Sequence, residues 1–177
     1  MKKALINYIQ NEKNDELYTP LEAIKPLWKY IKNYIEKTET IPEDITIWEP
    51  TDFGESKITS FFKELGFNVI STHKNNFDFL KDKADFNFDF IITNPPYTLK
   101  NEFLKKCYEY DRPFALLLPL TTLEGVERGK IFKEHDVRLI ILNKRINFLN
   151  QKKSNWFNTS WFCYGLLTNY LNFEEVE

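Results

Sequence analysis

Residues 88–97 read FDFIITNPPY, an apolar run that ends at two consecutive prolines. The run from Phe88 to Thr93 predicts a buried β-strand, and the prolines end it because proline has no backbone N–H to donate to a neighbouring strand. The tetrapeptide Asn94-Pro95-Pro96-Tyr97 is therefore predicted at the carboxyl end of a strand. An ordinary turn also explains Asn-Pro-Pro, although a turn does not require a tyrosine after the second proline.

Helices and strands are predicted to alternate on both sides of this strand. The predicted helices cover residues 19–37, 56–65, 99–110 and 124–134, and the other predicted strands cover 45–48, 67–71, 113–118, 137–142 and 160–167, with a short extended piece at 77–80. This order favours an α/β, Rossmann-like fold with a mostly parallel central sheet and helices on both faces. Ligands of such sheets bind beyond the carboxyl ends of the strands.

Length and composition limit the classes of protein that need to be considered. The 177 residues predict a single domain, 1–177, and a net charge of -2 excludes a general cationic field for nucleic acid, so any such binding would need a local patch. Cys107 and Cys163 lack the spacing of a disulfide framework or a zinc site. The apolar run near the N-terminus is too short for a signal peptide or a membrane span. We therefore expect a cytoplasmic protein without membrane or metal partners.

The tetrapeptide offers groups that suit an amine conjugated to a ring or a carbonyl. Such an amine is a poor nucleophile because its lone pair is delocalised. The side-chain oxygen of Asn94 and the carbonyl of Pro95 can accept both N–H hydrogens, which favours a tetrahedral nitrogen, and the locked φ of proline fixes the direction of that carbonyl. Tyr97 can stack on the face of the ring.

These residues resemble the signature of the S-adenosylmethionine-dependent N6-adenine DNA methyltransferases, which is Asn or Asp, Pro, Pro and an aromatic residue. Further matches follow in the γ-type order of that family and cover nearly the whole chain. They are Tyr18-Thr19-Pro20, similar to the N-terminal motif that contacts the methionine part of the cofactor; residues 48–54 (WEPTDFG), similar to the cofactor loop; Asp78-Phe79, similar to the adenine-binding pair; and residues 157–162 (FNTSWF), similar to the aromatic motif that helps to hold the flipped base.

The resemblance implies a function and a set of site residues. It implies that S-adenosyl-L-methionine is the cofactor and that the methyl acceptor is adenine N6 in DNA, flipped out of the duplex. The residues that it places at the cofactor are Tyr18, Thr19, Pro20, Glu49, Pro50, Gly54, Asp78 and Phe79. Asp52 and His73 are added to this set as polar residues that follow the first and second predicted strands. The residues that it places at the reaction are Asn94, Pro95, Pro96 and Tyr97. Glutamine-N5 protein methyltransferases and some RNA methyltransferases carry a similar tetrapeptide, so RNA and protein glutamine are alternative acceptors.

Two positions depart from the family pattern. The cofactor loop has one glycine, Gly54, and Phe53 and Glu55 stand where small residues are expected, so the pocket is predicted to be narrower or the loop rerouted. The acid expected after the second strand is missing. His73 either takes its place or is an ordinary loop histidine, and Asp52 either compensates for it or shapes a turn. These departures make a catalytically degenerate methyltransferase-fold binding module a second alternative.

Binding of nucleic acid is predicted from residues near the C-terminal end. Tyr97, Trp156 and Phe157 are candidates for stacking on the flipped base. The candidates for phosphate contact are Lys144, Arg145, Lys152 and Lys153, for which a solvated charged loop is the alternative interpretation.

The expected organisation of the chain follows from the same motifs. Residues 1–40 are expected to form a helical segment that contributes to the cofactor site. No target-recognition domain is expected after the aromatic motif, so recognition would come from a partner or a homodimer, in restriction-modification or in a phage or other mobile element.

Overall fold

The computed structural model describes residues 18–148 and 157–176. Its strands are β1 Thr46–Glu49, β2 Asn68–Ser71, β3 Phe90–Thr93, β4 Phe114–Pro119, β5 Arg138–Leu142, β6 Thr159–Tyr164 and β7 Leu171–Glu174. Its α-helices are α1 Leu21–Thr38, α2 Lys57–Glu64, α3 Lys100–Tyr110 and α4 Val126–Glu134, and 3-10 turns occupy Pro42–Asp44, Tyr97–Leu99 and Leu120–Leu123. The α/β class and the alternation of helices with strands are as predicted.

The strands form one sheet in the order β2-β1-β3-β4-β6-β5-β7. Strand β6 runs antiparallel to both of its neighbours, β4 and β5, and the other pairings in the sheet are parallel. The chain pairs β2 with one edge of β1 and β3 with the other, so the strand order reverses at β1. A crevice for a ligand is expected beyond the carboxyl ends of β1 and β3, at this switch point.

Helices cover both faces of the sheet, because neighbouring residues of the central strands point to opposite sides. Ile47 and Ile92 pack in a cluster with α1 and α2, whereas Trp48 and Ile91 pack in a second cluster with α3 and α4. Strand β3 is buried at each of its four residues. The apolar sequence of residues 90–93 follows from this burial on both faces.

The short extended piece predicted at 77–80 does not form a strand. Residues 77 and 78 have no regular secondary structure and residues 79 and 80 lie in a turn, where the carboxylate of Asp78 accepts a hydrogen bond from the backbone N–H of Leu80. Aromatic packing replaces strand pairing here: the indole ring of Trp48 lies 5.0–5.7 Å from the rings of Phe77, Phe79, Phe86, Phe88 and Tyr110. The Trp48 indole N–H also donates to the hydroxyl of Thr72 at 2.9 Å.

Two differences concern the C-terminal part. The last predicted strand, 160–167, ends at Tyr164 because Gly165 turns the chain with a φ of 70°. Strand β7 was not predicted; it pairs with β5, and the side chains of Leu171 and Phe173 are exposed on this edge strand. Across residues 18–148 and 157–176, no helix is both long and apolar enough to cross a lipid bilayer.

Candidate functional site

A cavity of about 480 Å3 lies beyond the carboxyl ends of β1, β2 and β3. This volume is in the range of small-molecule sites. The residues that line the cavity are Tyr18, Thr19, Glu49, Pro50, Thr51, Phe53, Ser56, Ile58, His73, Lys74, Asp78, Phe79, Leu80, Lys81, Asn94, Pro96, Thr98, Leu99 and Phe103. The cavity is therefore lined by residues that directly precede α1, by residues of the cofactor loop and by residues of the tetrapeptide.

Most of the residues predicted for the cofactor lie at this cavity. Those in the lining are Tyr18, Thr19, Glu49, Pro50, His73, Asp78 and Phe79, together with Asn94 and Pro96 of the tetrapeptide. Those outside the lining are Pro20, Asp52, Gly54, Pro95 and Tyr97, each of which directly adjoins a lining residue in the sequence. Their roles in binding remain predictions.

Asp52 shapes the cofactor loop. Its carboxylate accepts hydrogen bonds from the backbone N–H groups of Gly54 and Ser56 and from the hydroxyl of Thr59. Partial burial alone would raise the pKa of Asp52, but these hydrogen bonds outweigh it and hold the pKa below its ordinary value. Gly54 has a φ of 124°, which disfavours other residues. Of the two interpretations of Asp52, the geometry fits the turn-forming one.

Phe53 forms a wall of the cavity without filling it. Its ring stacks on Tyr18 with a centroid distance of 4.2 Å and an interplanar angle of 20°, and it lies 5.8 Å from the ring of His73. The Tyr18 hydroxyl accepts a hydrogen bond from the backbone N–H of Glu55 at 3.1 Å. The unusual residues Phe53 and Glu55 are therefore held in place by Tyr18, which precedes α1.

His73 is buried at the carboxyl end of β2, where an acid was expected. Its Nδ1 accepts a hydrogen bond from the backbone N–H of Asn75 at 3.4 Å. An imidazole ring nitrogen can donate or accept a hydrogen bond, whereas an ionised carboxylate can only accept one. Asp78, on the next loop, pairs with Lys81 at 2.8 Å, and this contact holds the pKa of Asp78 below its ordinary value.

Glu49 is the buried carboxyl group of the cavity, with a relative exposure of 1%. Its Oε1 accepts hydrogen bonds from the Thr93 hydroxyl at 2.5 Å, from the Thr51 hydroxyl at 2.9 Å and from the Thr51 backbone N–H at 3.0 Å. Burial raises the pKa of Glu49 to about 7, although these hydrogen bonds favour the ionised form. Glu49 therefore titrates near neutral pH.

Replacing Glu49 by glutamine is expected to make folding stability less sensitive to pH. The folded-state pKa of about 7 lies above the ordinary 4.5, so Glu49 contributes stability below pH 4.5 that is lost as the pH rises through 7. From pH 4.5 to 8, the free energy of unfolding of Glu49→Gln should rise by about 3 kcal/mol relative to wild type. Urea unfolding at both pH values measures this difference. A constant difference would contradict the raised pKa.

The tetrapeptide leads from β3 into a 3-10 turn and then into α3. The ring of Tyr97 meets the ring of Phe157 edge to face, with a centroid distance of 5.7 Å and an interplanar angle of 74°. The structure thus brings together two of the three predicted stacking residues. The third, Trp156, lies outside the described residues.

The predicted basic patch is described only in part. The ammonium group of Lys144 lies 3.5 Å from the Glu22 carboxylate of α1, and the Arg145 Nε donates to the side-chain oxygen of Asn158 at 3.3 Å. Both basic side chains are exposed, so each has an intramolecular contact that a phosphate would compete with. Lys152 and Lys153 lie outside the described residues. Within the described parts of the chain, no group of three or more His, Cys, Asp or Glu side chains is placed to hold a metal ion.

Comparison with known proteins gives a match at the level of the fold. No protein-family profile matches the sequence, and no curated protein matches it. A solved structure from Listeria monocytogenes, assigned to the class I S-adenosylmethionine-dependent methyltransferases, is similar with a TM-score of 0.59 and 10% identity, over 99% of this chain and 71% of that chain. The chain has the class I methyltransferase fold.

Two other solved structures are more distant than this class I methyltransferase. One is described as a modification subunit of a type I restriction enzyme from Vibrio vulnificus, with a TM-score of 0.46 and 11% identity over 92% of this chain; this chain spans 46% of that subunit. The other is a release-factor-specific protein-(glutamine-N5) methyltransferase from Alicyclobacillus acidocaldarius, with a TM-score of 0.41 and 13% identity over 78% of this chain and 91% of that one. With TM-scores below 0.5, neither adds to the class I assignment.

Several lining residues of this methyltransferase fold were missed from the sequence. Lys74, Leu80 and Thr98 each follow a predicted residue directly, and that adjacency was the available signal. Ile58 and Phe103 come from helices, so only the rotation of α2 and α3 against the sheet brings them to the cavity. Thr51 lies in the loop that is similar to the family's cofactor loop, but no contact with the cofactor was predicted for it.

Proposed function

We propose that this protein transfers the methyl group of S-adenosyl-L-methionine to the N6 amine of adenine in DNA. The proposal is carried by one observation: Asn94 and Pro96 line the same cavity as Glu49 and the cofactor loop. Strands β1 and β3 are parallel neighbours, so their carboxyl ends place a donor pocket beside a turn that suits a planar amine.

The residues of the cavity fit this donor. Apolar side chains from Ile58, Phe79 and Phe103 suit a purine ring, and the polar groups of Glu49 and His73 suit its ribose and amino-acid parts. When bound, S-adenosyl-L-methionine supplies a methyl group on a positively charged sulfur. Thr19 is buried at the head of α1 and lines the cavity, in agreement with the methionine contact that the resemblance implies.

The chain contributes to the reaction by holding the acceptor. The side-chain oxygen of Asn94 and the Pro95 carbonyl accept the two amine hydrogens, which localises the lone pair on nitrogen. Pro96 fixes the turn with a φ of -52°, and Tyr97 with Phe157 provides aromatic surface for the base. Proximity and orientation then supply most of the rate acceleration.

Adenine is favoured over protein glutamine because the aromatic pair Tyr97 and Phe157 suits a flipped base. DNA is favoured over RNA because the order of the motifs resembles that of the DNA enzymes. A partner or a second copy of the chain is proposed to take part in recognition of a target sequence, in restriction-modification or in a mobile element. Lys144 and Arg145 follow the carboxyl end of β5, at the edge of the sheet that also carries the tetrapeptide, and they would contact phosphates there.

Labelled methyl transfer tests the proposal. The protein is incubated with S-adenosyl-L-methionine carrying a labelled methyl group and with DNA, RNA or a glutamine-containing protein acceptor. We expect label in DNA, recovered as N6-methyladenine after digestion. Label in RNA or protein alone would assign one of the other acceptors. Absence of cofactor binding at millimolar concentration in titration calorimetry would instead indicate the degenerate binding module.

A further inference from the structure

Three oxygen atoms near the carboxyl ends of β1 and β3 lie within hydrogen-bond distance of one another, and two of them belong to residues that line the cavity. They are Glu49 Oε1, Thr51 Oγ1 and Thr93 Oγ1, and the distances are 2.5 Å from Thr93 to Glu49, 2.9 Å from Thr51 to Glu49 and 2.6 Å between the two hydroxyls. Thr93 is fully buried and Glu49 nearly so. We call these three residues the carboxyl–hydroxyl triad.

The number of protons in the triad decides its charge. Each of the three contacts is short enough for a hydrogen bond, and each hydrogen bond needs one proton. The hydroxyls of Thr51 and Thr93 supply two protons. If the Glu49 carboxyl is ionised, one contact joins two oxygen atoms without a proton between them. A proton on Glu49 completes the third hydrogen bond, so the triad accommodates the neutral acid with all three contacts satisfied. Burial of the carboxyl group, rather than the two hydroxyls, is what favours this form.

The charged groups around Glu49 do not supply a cation for it. Asp52, at the start of the next loop, carries a like charge that opposes ionisation of Glu49. The other titratable groups of the cavity are Tyr18, His73, Lys74, Asp78 and Lys81, of which Lys81 pairs with Asp78. Within residues 18–148 and 157–176, no lysine or arginine forms an ion pair with Glu49. A ligand with a positive charge would provide the missing partner.

We propose that the carboxyl–hydroxyl triad holds a proton on Glu49 and releases it when a positively charged methyl donor enters the cavity. This inference rests on the proposed function, because it requires a cationic donor. On binding, the O–H bond of Glu49 breaks and the proton passes to the solvent buffer. The Thr51 hydroxyl then turns its proton from Thr93 to Oε1, so that both hydroxyls donate to the carboxylate. The ionised carboxylate balances the charge of the donor.

Thr51 also connects the triad to the acceptor side. Its hydroxyl lies 3.4 Å from the backbone carbonyl of Asn94, and Thr93 is the residue that precedes Asn94. Thr51 and Thr93 are therefore positioning residues, which link the donor loop to the turn that holds the amine.

Proton release has a measurable dependence on pH. With a Glu49 pKa of about 7, binding should release about half a proton at pH 7 and about 0.9 at pH 6, falling towards zero above pH 8. Donor affinity should correspondingly weaken about tenfold for each pH unit below 7.

Titration calorimetry with S-adenosyl-L-methionine measures the released protons. The intact protein is titrated at pH 6, 7 and 8 in buffers of low and high ionisation enthalpy, and the slope of heat against ionisation enthalpy gives the proton number. We expect release in wild type and none in Glu49→Gln. Glu64→Gln removes an exposed carboxylate at the end of α2 and should release protons as wild type does.

The outcomes separate this inference from the proposed function. Donor binding without proton release at pH 6 and 7 would overturn the triad and leave methyl transfer standing, whereas no donor binding at all would overturn both. Release that persists in Glu49→Gln would assign the proton to another group and overturn the triad. If Glu49→Gln does not fold, Thr93→Val provides the test. This variant removes a hydrogen bond to the ionised Glu49 carboxylate, so the midpoint of proton release should move to higher pH. An unchanged midpoint would contradict the triad.

Discussion

Replacing Asn94 by alanine is expected to lower the rate of methyl transfer by a factor of about 10² to 10³, the effect typical of removing one preorganised polar contact from a reaction site. The side-chain oxygen of Asn94 would accept one hydrogen of the acceptor amine, and without it the lone pair stays delocalised into the ring. Affinity for the cofactor should change little, because the loss falls on the acceptor. Single-turnover transfer of a labelled methyl group and calorimetric titration measure the two quantities separately.

Two variants control this experiment. Asn94→Asp keeps an oxygen acceptor and matches the other form of the signature, so it should retain more activity than Asn94→Ala. Asn87→Ala removes an exposed asparagine at the opposite end of β3 and should behave as wild type. Full activity in Asn94→Ala would show that the amine is held elsewhere.

Replacing Trp48 by alanine is expected to lower the free energy of unfolding by about 3–5 kcal/mol. Trp48 is fully buried, and its indole is the centre of the aromatic cluster that holds the segment from Phe77 to Phe88. Its removal leaves a cavity among these rings and takes away the donor to the Thr72 hydroxyl. Urea unfolding followed by circular dichroism measures the loss.

Trp28 provides the matched control for this stability measurement. It is only partly buried on α1 and meets Phe67 edge to face at 6.0 Å, so Trp28→Ala should cost less than half as much as Trp48→Ala. Trp48→Phe should recover part of the loss because it restores aromatic volume. Equal losses in Trp28→Ala and Trp48→Ala would show that the aromatic cluster does not stabilise the fold as described. Since Phe79 lines the cavity, Trp48→Ala should also weaken cofactor binding.

The order of helices and strands was predictable because each central strand is apolar on both faces and each helix carries one apolar stripe. The segment 77–80 was misread because its phenylalanines resemble a strand, whereas they pack around Trp48 without backbone pairing. Strand β7 was missed because Leu171 and Phe173 alternate with polar residues over only four positions. Local pattern does not reveal such an edge strand, since its pairing partner β5 is distant in the sequence.

The grouping of residues at one cavity was predictable where a motif ends a strand. Glu49 is the last residue of β1 and Asn94 directly follows β3, and the parallel sheet brings both to one edge. The contacts of Thr51 and Thr93 with Glu49 could not be predicted, because threonine is ordinary in strands and loops. Only the structure gives the distances between their oxygens and the Glu49 carboxyl.

The reversed direction of β6 affects how this protein can vary. Because β6 enters the sheet at the edge where β4 leaves it, the residues just before β6 arrive next to the tetrapeptide, and Asn158 accepts a hydrogen bond from the N–H of Leu120 there. Insertions or deletions between β5 and β6 would therefore reshape the surface beside the tetrapeptide while the register of every strand pair is preserved. Evolution, or an engineer, can thus alter this surface in one connecting segment without rebuilding the core.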